Sequence, residues 1–144
     1  MRLLMLCLLL FTPLLAQDAA PPAPLPMEGK PSYTRSGTQY WDMVVGTGKK
    51  AIPGFTVSVH YTGWYKKSKT SYVLFDSSRG RNPIKFDLGV GRVIKGWDEG
   101  LQGMKVGGKR QLVIPPDSAY GRQGSGKIPP NTPLIFEVEL VDVR

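Results

Sequence analysis

Tyr61, Phe75, Trp97, Tyr120 and Phe136, with Val93, Ile94 and Ile128, set aromatic and branched apolar side chains beside turn residues. At any single position such a residue can equally be a plain core residue. Together they can line a small apolar pocket with a few polar handles, the form a small-ligand site takes. Other chemistries lack their residues. Cys7 is the only cysteine and His60 the only histidine, too few for a thiol nucleophile in the folded part or a His-based metal cluster. No Gly-rich loop followed by Lys-Ser or Lys-Thr offers a phosphate cradle. Asp98 and Glu99 are neighbours, and helix neighbours do not face a common point, so they are expected as a solvent-facing pair. No metal or cofactor is expected.

The elements that would position the aromatics alternate with period two. Strands are expected at 40–45, 55–62, 71–76, 84–88, 109–115 and 134–143. In the second, Val57, Val59 and Tyr61 share one face, so Tyr61 points with the apolar set. In the last, Leu134, Phe136, Val138 and Leu140 alternate on one face. One segment breaks the pattern. Val93, Ile94, Trp97, Leu101 and Met104 recur at helical spacing over 91–104. Gly96, Gly100 and Gly103 each weaken that helix by about 1 kcal/mol relative to alanine, so it must depend on docking. The expected fold class is α+β, a strongly curved antiparallel sheet of about five to six strands wrapped over one short helix.

Six blocks carry a resemblance. They are Val59-His60-Tyr61-Thr62-Gly63, Phe75-Asp76-Ser77-Ser78-Arg79, Val93-Ile94-Lys95-Gly96-Trp97, Ile114-Pro115-Pro116-Asp117-Ser118-Ala119-Tyr120-Gly121, Ile128-Pro129-Pro130-Asn131-Thr132-Pro133-Leu134 and Phe136-Glu137-Val138-Glu139-Leu140. In this order and spacing, over residues 38–144, the chain resembles the FKBP-type peptidyl-prolyl cis-trans isomerases. The resemblance implies an FKBP-like fold and an apolar pocket for Xaa-Pro segments of unfolded or partly folded polypeptides. It implies Trp97 as the floor and Tyr61, Phe75 and Phe136 as walls, with Ile84, Val93 and Ile128 also lining it. Tyr120 would offer its hydroxyl, and Ile94 its backbone N–H, to a substrate carbonyl. Asp76 would hold a hydrogen-bond network at the pocket edge with Arg81 as its partner. Catalysis would be non-covalent and independent of any cofactor. Family members often bind macrolide inhibitors.

The sequence also departs from the family pattern. Ile84 stands where a phenylalanine often completes the wall, and Arg92 where an acid is common at the helix start. The loop at 122–127 is short, Lys127 replaces an apolar residue, and the loop from Trp64 to Leu74 is long. These changes bear on peptide preference and macrolide affinity.

The chain has 144 residues, enough for one domain. Residues 1–16 show a short positive start, an apolar run from Leu3 to Leu15 and a small residue, Ala16, which is the pattern of a secretory signal peptide. The run is shorter than the about 20 residues that span a bilayer. Export to a periplasm or the exterior is expected, with retention at the membrane if the signal stays uncleaved. Residues 17–37, rich in Pro and Ala, are expected as a flexible, partly extended tether. The formal charge is +8 but scattered, and its densest run, Lys66-Lys67-Ser68-Lys69, lacks the interleaved aromatics of a nucleic-acid binder. No nucleic acid is therefore expected as partner. With no coiled-coil extension, a monomer is expected. A binding module on the same fold and a basic polymer-binding protein are the alternative readings.

Overall fold

The computed structural model describes residues 19–144, so the expected signal peptide lies outside the described residues. Among the described residues, seven strands form one antiparallel sheet: β1 (Ser32–Tyr33), β2 (Gln39–Val44), β3 (Thr56–Lys66), β4 (Tyr72–Ser77), β5 (Ile84–Asp87), β6 (Lys109–Ile114) and β7 (Leu134–Val143). Their order is β1-β2-β6-β7-β3-β4, with β5 pairing on β3. The one α-helix among the described residues, α1 (Lys95–Gly100), lies against β6. A 3-10 turn, Pro116–Ser118, follows β6. This is the expected α+β architecture, with β1 as an additional short edge strand.

Alternation sets the register. Val57 and Val59 of β3, Leu112 of β6, and Val138 and Leu140 of β7 are buried on the concave face with Trp97 and Leu101 of the helix. Burial of this face is the main driving force for closure around α1, at roughly 25 cal/mol per Å² of apolar surface. The helix is shorter than expected. Ile94, its N-terminal flank, is still extended at ψ 149°, so the apolar residues at 93 and 94 lead into the helix rather than form it. Its glycines explain themselves by contact. A Cβ on Gly96 would stand 2.4 Å from Cγ2 of Ile114, so only glycine lets the helix approach β6 this closely.

Two side chains tie the helix down. Asp98 accepts the amides of Gly89 and Gly91, both at 2.9 Å, and sits in the first turn, where a negative charge suits the helix dipole. It is therefore a loop anchor and not the solvent-facing residue that its neighbour relation suggested. Glu99 likewise accepts from the Ser36 hydroxyl. At the other end Arg110, buried in β6, donates to the carbonyls of Gly100 at 2.9 Å and Gln102 at 3.0 Å. It also pairs with Asp42 at 2.8 Å and lies 4.4 Å from the Tyr40 ring centroid.

The expected loop from Trp64 is different in kind. β3 runs on to Lys66 and pairs with β4 through Lys66 and Tyr72, leaving a turn at 67–71. The β3–β4 register shifts here: Gly63 faces Asp76 and Trp64 faces Leu74, so Phe75 is the extra residue of a β-bulge. Trp64 is fully buried. The leader is not a tether clear of the domain. Pro21, Leu25 and Gly29 are hydrogen-bonded to the outer face of the sheet, and Ser32–Tyr33 pairs with β2. Its prolines do keep it out of regular structure up to Pro31, since they lack the amide donor.

Candidate active site

Successive strand residues normally point to opposite faces. The bulge at Phe75 suspends that rule, and both Phe75 and Asp76 line one cavity on the concave side. β3 contributes Tyr61, α1 contributes Trp97, and β7 contributes Phe136. The cavity holds about 240 Å³ and is completed by Ile84, Arg92, Val93, Ile94 and Tyr120.

Trp97 is its floor, 4% exposed. Tyr61 and Phe136 stand on edge to it, with centroids at 5.1 and 5.2 Å and interplanar angles of 74° and 82°. Phe75 stands at 89° to Phe136, 5.5 Å away. Edge-to-face packing is the preferred arrangement of aromatic rings and holds the walls upright without filling the space between them. Gly63 makes room for this cluster: a Cβ there would lie 2.6 Å from the Phe75 ring and 2.7 Å from the Phe136 ring. The indole Nε1 of Trp97 is buried and has no hydrogen-bond partner among the described residues.

The polar edge is built around Asp76. The Tyr61 hydroxyl donates to its Oδ2 at 2.5 Å. Arg81 donates to Oδ1 at 3.2 Å and the Ser77 amide to the same oxygen at 2.9 Å. Arg81 also donates to the Ser77 carbonyl. The Tyr61 hydroxyl is pushed up to about 12 by burial, then by its hydrogen bond to Asp76 and by that carboxylate's charge, against the opposing charge of Arg81. It is a neutral hydrogen-bond donor at physiological pH.

The structure brings together Tyr61, Phe75, Asp76, Ile84, Val93, Ile94, Trp97, Tyr120 and Phe136. Tyr120 follows the 3-10 turn and is 40% exposed at the rim. Arg81 stays outside the cavity and reaches it only through Asp76. Ile128 is not part of the wall. It is buried in the core, closed into a tight turn by paired backbone bonds with Ser125 at 2.7 and 3.0 Å. Two residues were missed as site residues. Arg92 lines the rim, although its position next to Val93 was a signal. Phe86 packs against Trp97 at 5.8 Å and braces the floor; its place in the β5 alternation was the available sign.

A concave antiparallel sheet closed on one helix, with an aromatic pocket at their junction, defines a small-ligand or peptide-binding α+β domain. The profile described as FKBP-type peptidyl-prolyl cis-trans isomerase matches residues 47–141. The chain is 53% identical over 104 residues to an FK506-binding protein of Neisseria meningitidis, covering 71% of this chain and 92% of that protein. It is 54% identical over 98 residues, 67% of this chain, to the peptidyl-prolyl cis-trans isomerase FKBP53 of Arabidopsis thaliana, but spans only 20% of that longer protein. The crystal structure of FkpA from Escherichia coli superposes with a TM-score of 0.71 at 41% identity, over 81% of this chain and 53% of that one. The chain belongs to the FKBP-type peptidyl-prolyl cis-trans isomerase family.

Proposed function

We propose that this protein accelerates cis-trans isomerisation of Xaa-Pro bonds in unfolded or partly folded polypeptides, and does so outside the cytoplasm. The observation that carries the catalytic reading is the upright aromatic box on Trp97 with Asp76, Tyr120 and the Ile94 amide at its edge. Export rests on the signal-like pattern of residues 1–16.

The residue types suit the reaction. Rotation about an amide costs about 18–20 kcal/mol because planarity carries resonance between nitrogen and carbonyl. The planar amide is charge-separated and well solvated by water. A proline ring resting on Trp97 between Tyr61, Phe75 and Phe136 leaves water, which costs the planar form more than the twisted one. The Tyr120 hydroxyl and the Ile94 amide hold flanking carbonyls, and Asp76, fixed by Tyr61, Arg81 and Ser77, faces the turning amide. Groups placed for the twisted geometry bind it better than either planar isomer, and that difference is the rate acceleration. Macrolides that carry a ring of proline-like shape would enter the same cavity, as the name of the Neisseria relative suggests for that protein.

The test is the isomerisation rate of short Xaa-Pro peptides with the parent chain and with Asp76→Ala, Trp97→Leu and Tyr120→Phe. Clear acceleration by the parent, weakened in the folded variants, is the expected result. A folded parent that accelerates no Xaa-Pro peptide, whatever residue precedes proline, leaves only a binding module. Export is tested by cell fractionation with N-terminal sequencing of the product; an intact Met1 terminus in the cytoplasm overturns it.

A further inference from the structure

The convex face of the sheet is built unlike an outer face. Antiparallel sheets commonly turn polar residues to water. Here Val113, Ile135 and Trp64 pair across β6, β7 and β3 as one row. Two residues along the strands, Trp41, Gln111, Glu137 and Thr62 form the next row on the same face. Trp64 is 0% exposed although it belongs to no part of the concave core. The leader lies against it. The indole Nε1 of Trp64 donates to the Pro21 carbonyl at 3.0 Å, the Gln111 amide to the Leu25 carbonyl at 2.8 Å, and the indole Nε1 of Trp41 to the Gly29 carbonyl at 3.2 Å. In return the Leu25 amide donates to Glu137 at 3.0 Å. Three side-chain donors thus take carbonyls at residues 21, 25 and 29, a regular step of four.

Two of these carbonyls, those of Pro21 and Leu25, belong to a proline-rich run, and N–H donors on an aromatic surface are what such a run is recognised by. A proline-rich segment has few amide donors and free carbonyls, its backbone is pre-set in an extended form, and it is bound by aromatic surfaces that carry N–H donors. The leader sequence Pro21-Pro22-Ala23-Pro24-Leu25-Pro26 is such a segment. Pro24 and Pro26 form one wall of a groove whose other side is Trp41, Tyr72, Pro133 and Ile135.

We propose that the convex face is a second peptide-binding site, specific for extended proline-rich segments and occupied in cis by the chain's own leader. It is separate from the Trp97 pocket and does not depend on the catalytic reading. The leader closes the site, and loosening the leader opens it to another segment of the same kind.

The test uses the full chain and two variants: Leu25→Asp, which adds a negative charge at the residue whose amide donates to Glu137, and a combined change of Pro21, Pro22, Pro24 and Pro26 to Gly. The probe is a synthetic peptide of residues 20–29. The three tryptophans give separate indole N–H signals in NMR, and Trp97 reports folding and pocket occupancy. In the parent, the Trp41 and Trp64 signals exchange slowly with solvent and ignore the peptide. In either variant they exchange at least tenfold faster and the peptide restores their protection, while the rate on a standard Xaa-Pro peptide measured without the probe, and any shift of Trp97 by the peptide's own Xaa-Pro bonds, are the same in parent and variants. The same peptide with every Pro replaced by Gly binds at least tenfold more weakly. Unprotected Trp64 in the parent overturns the proposal. So does a peptide that leaves Trp41 and Trp64 unmoved in both folded variants, or one that acts only on Trp97. Equal binding of the glycine peptide also overturns it.

Discussion

The hydroxyl of Tyr61 donates to Oδ2 of Asp76 at 2.5 Å, and the other oxygen of that carboxylate is held by Arg81 and the Ser77 amide. The pair spans β3 and β4 next to the bulge, so the position of Asp76 is set by backbone register as much as by its charge partner. Arg81 and Asp76 are both well exposed, with side chains 65% and 48% accessible, and an ion pair of that kind contributes little to stability. Its value lies in orientation.

Tyr61→Phe leaves Asp76 with Arg81 and Ser77 but removes one charged hydrogen bond. Loss of a bond of that kind costs about 1.5–3 kcal/mol where it acts in the transition state, so kcat/KM on an Xaa-Pro peptide is expected to fall roughly ten- to a hundredfold. Parent-like kcat/KM in the folded variant would show that the Tyr61–Asp76 bond has no part in turnover.

The raised Tyr61 hydroxyl also makes a prediction with a definite sign. Its value in the fold is about 12, against 10.0 when unperturbed. Between those values the unfolded chain has released the proton and the folded chain retains it. Stability is therefore full below pH 10 and falls as pH rises toward 12. Subtracting a Tyr61→Phe unfolding curve from that of the parent isolates this residue. The difference should change between pH 10 and 12 and be flat from pH 7 to 9.

Gly96→Ala separates packing from helix propensity. Alanine would favour the isolated helix by about 1 kcal/mol. Its Cβ would meet Ile114 at 2.4 Å, which predicts a net loss of about 1–3 kcal/mol in denaturant unfolding. Ile114→Val in the same chain should act non-additively, because the two side chains share one space.

Arg110→Met should be among the most destabilising changes outside the pocket. It leaves the carbonyls of Gly100 and Gln102 without their donor and Asp42 without its partner. A loss of about 1–3 kcal/mol is expected from the carbonyls left unpaired, read as a lowered midpoint of chemical unfolding. Restoring packing volume without charge should not recover it.

Arg92 on the rim should bias the peptides that the pocket accepts. With Arg92→Glu, kcat/KM for peptides carrying Asp or Glu next to proline should fall, and that for Lys-containing peptides should rise, both by a few-fold. The difference should shrink as salt is raised, since exposed charges are screened over about 8 Å at physiological ionic strength.

Much of the architecture was legible because alternation is local. Val57, Val59 and Tyr61 on β3, or Phe136, Val138 and Leu140 on β7, announce their strands within a few residues. The pocket aromatics were legible as a set for the same reason, aided by the order of the six blocks. What stayed hidden depends on partners far along the chain. Nothing near Trp64 says that Pro21 will cover its indole. Nothing near Arg110 says that it will close the end of a helix ten residues earlier. The bulge at Phe75 is hidden too, because strict period two would send Phe75 and Asp76 to opposite faces. Ile128 is buried in the same cluster as Trp97 and Phe136 but is not among the residues lining the cavity, a difference its neighbours in sequence do not announce.

The strand order has a consequence for how the chain comes into being. β7, the last strand, lies between β6 and β3 and is their shared partner. At about 5–20 residues per second, every other strand leaves the ribosome with the middle of the sheet still missing. Until residues 134–143 arrive, β3 and β6 have nothing to join them. The chain can therefore form only two separate pieces, β2 with β6 and β3 with β4 and β5, until the arrival of β7 stitches them into one sheet.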